Sequence, residues 1–190
     1  MAVLPTAPVA AGALAGTADA GHGPDAGRGR LVPATVIGCS NVIVADGRYL
    51  LVQESKVEAR SRYNLPAGKP ELGETLAEAA AREALEETGL VVRPEHLLAI
   101  YHCPRTSEGV GVVNFVFRSE VVGGELRPTA EHPDVRYFTR EEIAELGRTG
   151  RLRGVHIELA IDRCAAGARL PSDVVQLIPS WEPAEGGAPA

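Results

Sequence analysis

"GKPELGETLAEAAAREALEETGL", Gly68 to Leu90, is the stretch on which the reading of this chain turns. From Thr75 onward it is built from Ala, Glu, Leu and Arg, which are strong helix formers. Thr75 and Glu78 stand at the spacing of a capping box, so the helix starts at Thr75. Gly89 is placed to end it in a left-handed conformation. Leu76, Ala79, Ala80 and Ala84 supply a small apolar face. The charges are the anomaly. Glu83, Glu86 and Glu87 lie three and four residues apart and therefore share a face. Carboxylates one turn apart repel, and an ordinary surface helix would pair them with Lys or Arg at i+4. No Lys lies within that turn.

A divalent cation would resolve the repulsion. Mg²⁺ and Mn²⁺ prefer oxygen ligands, keep several waters and bind through carboxylates together with substrate phosphates. A diphosphate needs its charge neutralised before water can attack phosphorus. Leu65-Pro66-Ala67-Gly68 can bring a backbone carbonyl to such an ion, because Gly permits close approach. Arg82, off the acidic face, can reach back to Glu74 and lock the loop to the helix. The plain alternative is a solubilising helix. Seven fixed positions decide between them: Gly68, Glu74, Arg82, Glu83, Glu86, Glu87 and Gly89. At roughly one chance in ten each, a random match at a given start is on the order of 10⁻⁷.

This spacing resembles the Nudix hydrolase signature at every charged and glycine position. Ala84 stands where a larger aliphatic residue is commoner. The resemblance covers roughly residues 33–145. It implies an α/β fold, a Nudix-type α/β/α sandwich around a mixed β-sheet. It also implies Mg²⁺ (or Mn²⁺) as cofactor and attack of water on a small-molecule diphosphate substrate. By motif position, Gly68 offers its carbonyl to metal, Glu86 and Glu87 are the main ligands, Glu83 is a further ligand or base, and Glu74 and Arg82 form the supporting pair. "YNLPAGKPELGETLAEAAAREALEETG" and "LRGVHIELAIDRCAAGARLP" are similar to bacterial Nudix phosphatases of nucleoside di- and triphosphates and of a thiamin-precursor pyrophosphate. Tyr63 stands where that group usually has Trp. The expected substrate is thus a nucleoside di- or triphosphate or a related X-linked diphosphate. ADP-ribose, a sugar nucleotide or a prenyl diphosphate would keep the same chemistry. A non-catalytic Nudix-like regulator is the alternative from another class; such domains usually lose a box carboxylate, and all are present here.

Around this stretch the chain reads as strands, then helix, then strands, then helices. "VPATVIGCSNVIVA" (Val32 to Ala45) is β-branched and apolar, and Asp46-Gly47 turns it into a second strand. "SKVEARSRY" and "NLPAGKPELG" read as loops. "LVVRPEHLLAIYHC", "GVGVVNFVFRSEVV" and "VRYFT" read as strands. "TREEIAELG" carries a second capping box, Thr139 to Glu142, and "VHIELAIDRCAAG" reads as an amphipathic helix.

The 190 residues fit one domain, 31–180, between an Ala/Gly-rich disordered tail (1–30) and a C-terminal tail (181–190). A net charge of −6 argues against a nucleic-acid polymer as partner. No apolar run reaches the ~18 residues of a membrane span. The first basic residue is Arg28, and Pro5 and Pro8 interrupt the early apolar stretch, so a secretory signal is not expected. Cys39, Cys103 and Cys164 are odd in number and widely spaced, which fits free thiols and a cytoplasmic enzyme, monomer or homodimer.

Further site candidates lie outside the box. Glu131, in "TAEHPDVRYF", is the foremost candidate for one more catalytic acid, ahead of Glu125 and Glu108. Lys56, Arg60, Arg62 and Lys69 are candidates to hold phosphates, or else solvated surface charges. Tyr63 and Tyr101 could stack on a base or pack as half-buried aromatics. His102 and His132 border the site as surface residues or as partners of its side chains. Trp181 packs the C-terminal tail or meets a second subunit.

Overall fold

Alternating apolar residues in the first long strand send side chains to two opposite layers. In β1 (Thr35–Ala45), Cys39 and Ile43 face one way and Val42 the other. The computed structural model describes residues 35–55, 61–104, 106, 109–171 and 173–176; both tails lie outside the described residues. Two residues at positive φ, Asp46 and Gly47, turn β1 into β2 (Arg48–Gln53). Two short strands follow, β3 (Tyr63–Asn64) and β4 (Ala67–Gly68). Helix α1 (Leu76–Thr88) leads into β5 (Leu90–Cys103), β6 (Gly111–Gly124) and β7 (Val135–Phe138). Helices α2 (Arg140–Arg148) and α3 (His156–Ala165) complete the described chain.

The sheet runs β3-β2-β1-β6-β5, with β4 paired to β1 and β7 paired to β2. It is mixed: β1 and β6 run parallel from Thr35 opposite Gly111 to Ile43 opposite Ser119, whereas β5 and β6 are antiparallel. Ala79 and Ala80 of α1 pack on Cys39, Leu97 and Phe117, and Ala84 packs with Ile43, Leu50, Leu90 and Val92. Alanines on this face let the helix approach the sheet closely. On the opposite face Ile143, Leu146, Ile157, Ala160 and Ile161 cover Val42, Leu51, Leu98 and Val116. The expected α/β/α sandwich is therefore observed.

Both capping boxes form as read: Thr75 with Glu78, and Thr139 with Glu142. Gly89 ends α1 with φ 76°. A Cβ there would also lie 2.4 Å from the Glu125 carbonyl, so glycine is required twice over. The sequences "SKVEARSRY" and "NLPAGKPELG", expected to be loop, instead contribute β3, across their junction, and β4. Asn64 pairs with Val52, and Gly68 sits opposite Cys39 in the middle of the sheet. Those pairings span long sequence separations and leave no local periodicity.

Buried Asn41 fastens this loop to the sandwich. Its Nδ2 donates to the carbonyls of Ala80 (2.8 Å) and Pro66 (3.3 Å). Its Oδ1 accepts from Ser119 Oγ at 2.8 Å, and its backbone N–H donates to Pro66 O. One side chain thus ties β1, β6, α1 and the glycine loop together.

Candidate active site

The acidic face of α1, the Gly68 loop and the segment before β7 enclose an open cleft of about 750 Å³. Glu54, Glu71, Glu83, Glu86, Glu87 and Glu131 line it, alongside Lys69 and His132. Among the described residues, six carboxylates line the cleft against one lysine, a balance that repels phosphate unless cations accompany it.

Gly68 is a glycine because Glu83 occupies its side-chain space. A Cβ on Gly68 would fall 2.0 Å from both Cδ and Oε1 of Glu83. The Glu83 side chain, 16% exposed, is thereby held against the loop. Arg82 completes the clamp. Its Nε and Nη2 donate to the two Glu74 oxygens at 2.7 and 3.0 Å, and Nη2 also donates to Lys69 O. This bidentate pair is the brace expected from the sequence, and the guanidinium holds the Glu74 carboxyl below its usual range. The expectation that Arg82 lies off the acidic face is corrected. Its Nη1 reaches Glu83 Oε1 at 2.8 Å and Glu86 Oε2 at 3.3 Å. Arginine's forked donors serve the brace and the acidic face at once, so part of the repulsion is relieved within the protein. Below the loop, burial first and then the Glu74 and Glu83 charges push the Cys39 thiol up to about 11, which leaves it protonated and inert.

Glu87 is anchored differently. Its Oε2 accepts from the Ala67 N–H at 2.9 Å, and its Oε1 lies 3.3 Å from His132 Nε2. The segment that brings His132 there is fixed at both ends. Glu125 N and Arg127 N donate to Gly89 O and Thr88 O at the end of α1. Ser55 N and Gln53 N donate to Glu131 O and Asp134 O at the end of β2. This places Glu131 in the cleft, whereas Glu125 stays at the helix terminus.

Two glycines, a buried-edge brace and paired glutamates in this order coincide with a family model, NUDIX domain, that matches residues 33–156. The chain belongs to the Nudix family. Among Nudix relatives, phosphatase NudJ of Escherichia coli K12 is 31% identical over 147 residues, covering 75% of this chain and 90% of that protein. The ADP-ribose pyrophosphatase of Methanocaldococcus jannaschii is 31% identical over 117 residues, covering 62% of this chain and 69% of that protein. A solved Nudix hydrolase from Nitrosomonas europaea superposes with a TM-score of 0.69 at 32% identity, over 76% of this chain and 97% of that one. The protein is accordingly a Nudix hydrolase, of a class that acts on pyrophosphate bonds.

The Nudix cleft does not gather every residue expected in it. Tyr63 is corrected from a base-stacking position to a core one. It is 1% exposed, stands edge-on to Phe138 with ring centroids 4.9 Å apart, and donates its hydroxyl to Asp134. Pairing with Gln53 and burial under Arg136 and Arg151 turn the ring inward. Tyr101 packs against the same cluster. Arg62 lies outside the cleft lining and caps β2, its carbonyl accepting from Glu54 N. Of the two phosphate-holding candidates among the described residues, Lys69 lines the cleft and Arg62 does not. Lys56, Arg60, Glu108 and Trp181 lie outside the described residues.

Sequence reasoning missed Glu54, Thr129 and Asn41. Glu54, at the end of β2, accepts from Asn64 Nδ2 at 2.9 Å and faces Arg153 Nε at 3.6 Å. Its only sequence signal is a charge at the end of an apolar strand, which is commonplace. The donor set of the cleft fits a hard divalent cation, since it is carboxylate oxygen with a single imidazole nearby. Among the described residues, no three acidic, His or Cys side chains converge as a ready-made metal cluster. Glu83 is drawn toward Arg82 and Glu87 toward Ala67 N and His132, so the face is a set of separately held donors.

Among the described residues no helix is long and apolar enough to cross a membrane.

Proposed function

We propose that this Nudix hydrolase cleaves a phosphoanhydride bond in a nucleoside di- or triphosphate, or a related small-molecule diphosphate, with Mg²⁺ or Mn²⁺ as cofactor. The observation that carries the reading is the cleft itself: among the described residues, six glutamates and one lysine line it, beside a loop braced by the Arg82–Glu74 pair. Glu83, Glu86 and Glu87, with the Gly68 carbonyl, would hold the ion, which supplies charge screening for the phosphates and polarises the phosphoryl oxygen. The chain's own residues do the positioning. Arg82 and Glu74 keep the Gly68 loop at the helix, Lys69 meets a phosphate oxygen, and Glu131 or Glu54 accepts the proton of the attacking water. Retention of every box carboxylate supports turnover over a purely binding role.

The NudJ relative, matched over 90% of its length, is named a phosphatase, which supports hydrolysis with release of phosphate. The ADP-ribose pyrophosphatase relative supports a second substrate, ADP-ribose. A panel of nucleoside di- and triphosphates, a thiamin-type pyrophosphate and ADP-ribose, scored for phosphate against pyrophosphate release, separates them. Turnover is expected with Mg²⁺ or Mn²⁺ and abolished by chelator. Undiminished turnover after metal removal, or no turnover of any anhydride, overturns the reading.

A further inference from the structure

His132 sits between Thr129 and Glu87. Its backbone N–H donates to Thr129 Oγ1 at 3.0 Å, and Thr129 N–H donates to the His132 carbonyl at 2.9 Å. The Thr129 hydroxyl also stands 3.5 Å from His132 Nδ1, on the side of the ring away from Glu87. A carboxylate only accepts, so a ring nitrogen that hydrogen-bonds to it must carry the hydrogen, here Nε2. That nitrogen lies 3.3 Å from Glu87 Oε1, with the ring only 12% exposed and the Glu87 side chain 13% exposed. The other Glu87 oxygen accepts from Ala67 N–H at 2.9 Å. Two donors from two different segments therefore grip the two oxygens of one box carboxylate.

We propose that His132 is a positioning residue: through Nε2–H it fixes the orientation of Glu87 for metal binding, while the two hydrogen bonds between Thr129 and the His132 backbone hold the residue in place. The inference rests on the reading of Glu87 as a ligand of the divalent ion. A ligating carboxylate that is held by outer hydrogen bonds loses less freedom when it binds, and removal of such a partner typically weakens metal affinity by about 10–100-fold. The segment 125–134 is tied at both ends, and the same tethers bring both Glu131 and His132 to the cleft.

The test measures Mn²⁺ binding to the full chain by calorimetry and electron paramagnetic resonance, with no substrate present. His132→Ala should weaken Mn²⁺ binding by about 10-fold or more. His132→Gln places an amide N–H where Nε2 stood and should recover most of the affinity. His132→Asn reaches only the Nδ1 position and should behave like Ala. In a Glu87→Gln background, His132→Ala should cost nothing further, because the carboxylate through which it acts is already gone. Raising Mn²⁺ should restore the turnover of His132→Ala. Unchanged affinity in His132→Ala, equal loss in the Gln and Ala variants, or an added loss in the Glu87→Gln background overturns the proposal while leaving the metal reading intact. Absence of Mn²⁺ binding by the wild type overturns both. Melting curves of the Gln and Asn variants keep the comparison valid if the Ala variant does not fold.

Discussion

Glu83, Glu86 and Glu87 share a residue type and a helix turn, yet each has its own surroundings. Glu83 is packed on Gly68, Glu87 is gripped by Ala67 N–H and His132, and Glu86 is 59% exposed with Arg82 at 3.3 Å. Their substitutions should separate accordingly. Glu86→Gln removes an exposed charge and should change the stability of the metal-free protein by less than about 0.5 kcal/mol. Glu87→Gln disturbs a half-buried pair and should cost more. Both should lower turnover by roughly 10²–10⁴-fold. In the wild type, metal at a hundredfold excess over its Kd should add about 2.7 kcal/mol of stability. That increment should shrink in both variants, read as melting curves with and without Mg²⁺. Identical metal-induced shifts in all three proteins would remove these two residues from the metal site.

At the scale of elements, helix α1 and the loop before it form one unit joined by Arg82. The guanidinium bonds Glu74, Lys69 O, Glu83 and Glu86 together. Arg82→Ala should release residues 66–74, seen as lost hydrogen-exchange protection there, together with lower activity. Equal protection with lower activity would instead make Arg82 a substrate contact. The pair has a pH signature. Arg82 lowers the Glu74 pKa in the folded state, so the ionised form is favoured by folding. Its stabilisation is complete above the unfolded glutamate pKa of about 4.3 and is lost as pH falls through the lower folded value. Wild type should therefore lose melting temperature on acidification below about pH 4.3 more steeply than Arg82→Ala. Parallel acid limbs would show that the pair contributes nothing to folding.

Across the whole molecule the cleft depends on a buried amide far from the box in sequence. Asn41 Nδ2 reaches Ala80 O and Pro66 O, and Oδ1 receives Ser119 Oγ. Asn41→Ala would leave these buried groups without those partners, at about 1–3 kcal/mol for each group left unpaired. A fall in the denaturation midpoint with an unchanged slope is expected, together with reduced turnover as Pro66 and the Gly68 loop loosen. A stability change under about 0.5 kcal/mol would show that Asn41 is dispensable to the architecture.

The sequence by itself determined the parts whose causes are local. Capping boxes at Thr75 and Thr139, the Asp46-Gly47 turn, the Gly89 terminus and the box spacing from Gly68 to Glu87 are each written within a few residues, and each is observed. The Arg82–Glu74 brace was legible for the same reason. Only the tertiary structure decided which distant residues complete the site. Tyr63 reads as a loop aromatic, but strand pairing with β2 and the Phe138 ring beneath it turn it into the core. Glu54, Glu131 and His132 reach the cleft because backbone hydrogen bonds join the end of β2 to the segment before β7 and that segment to the end of α1. Asn41 looks like a polar interruption of a strand until Ala80 and Ser119 are folded against it. Helix periodicity and capping act over one or two turns and mark the chain where they operate; strand pairing and buried hydrogen bonds act across dozens of residues and leave no mark at either partner alone.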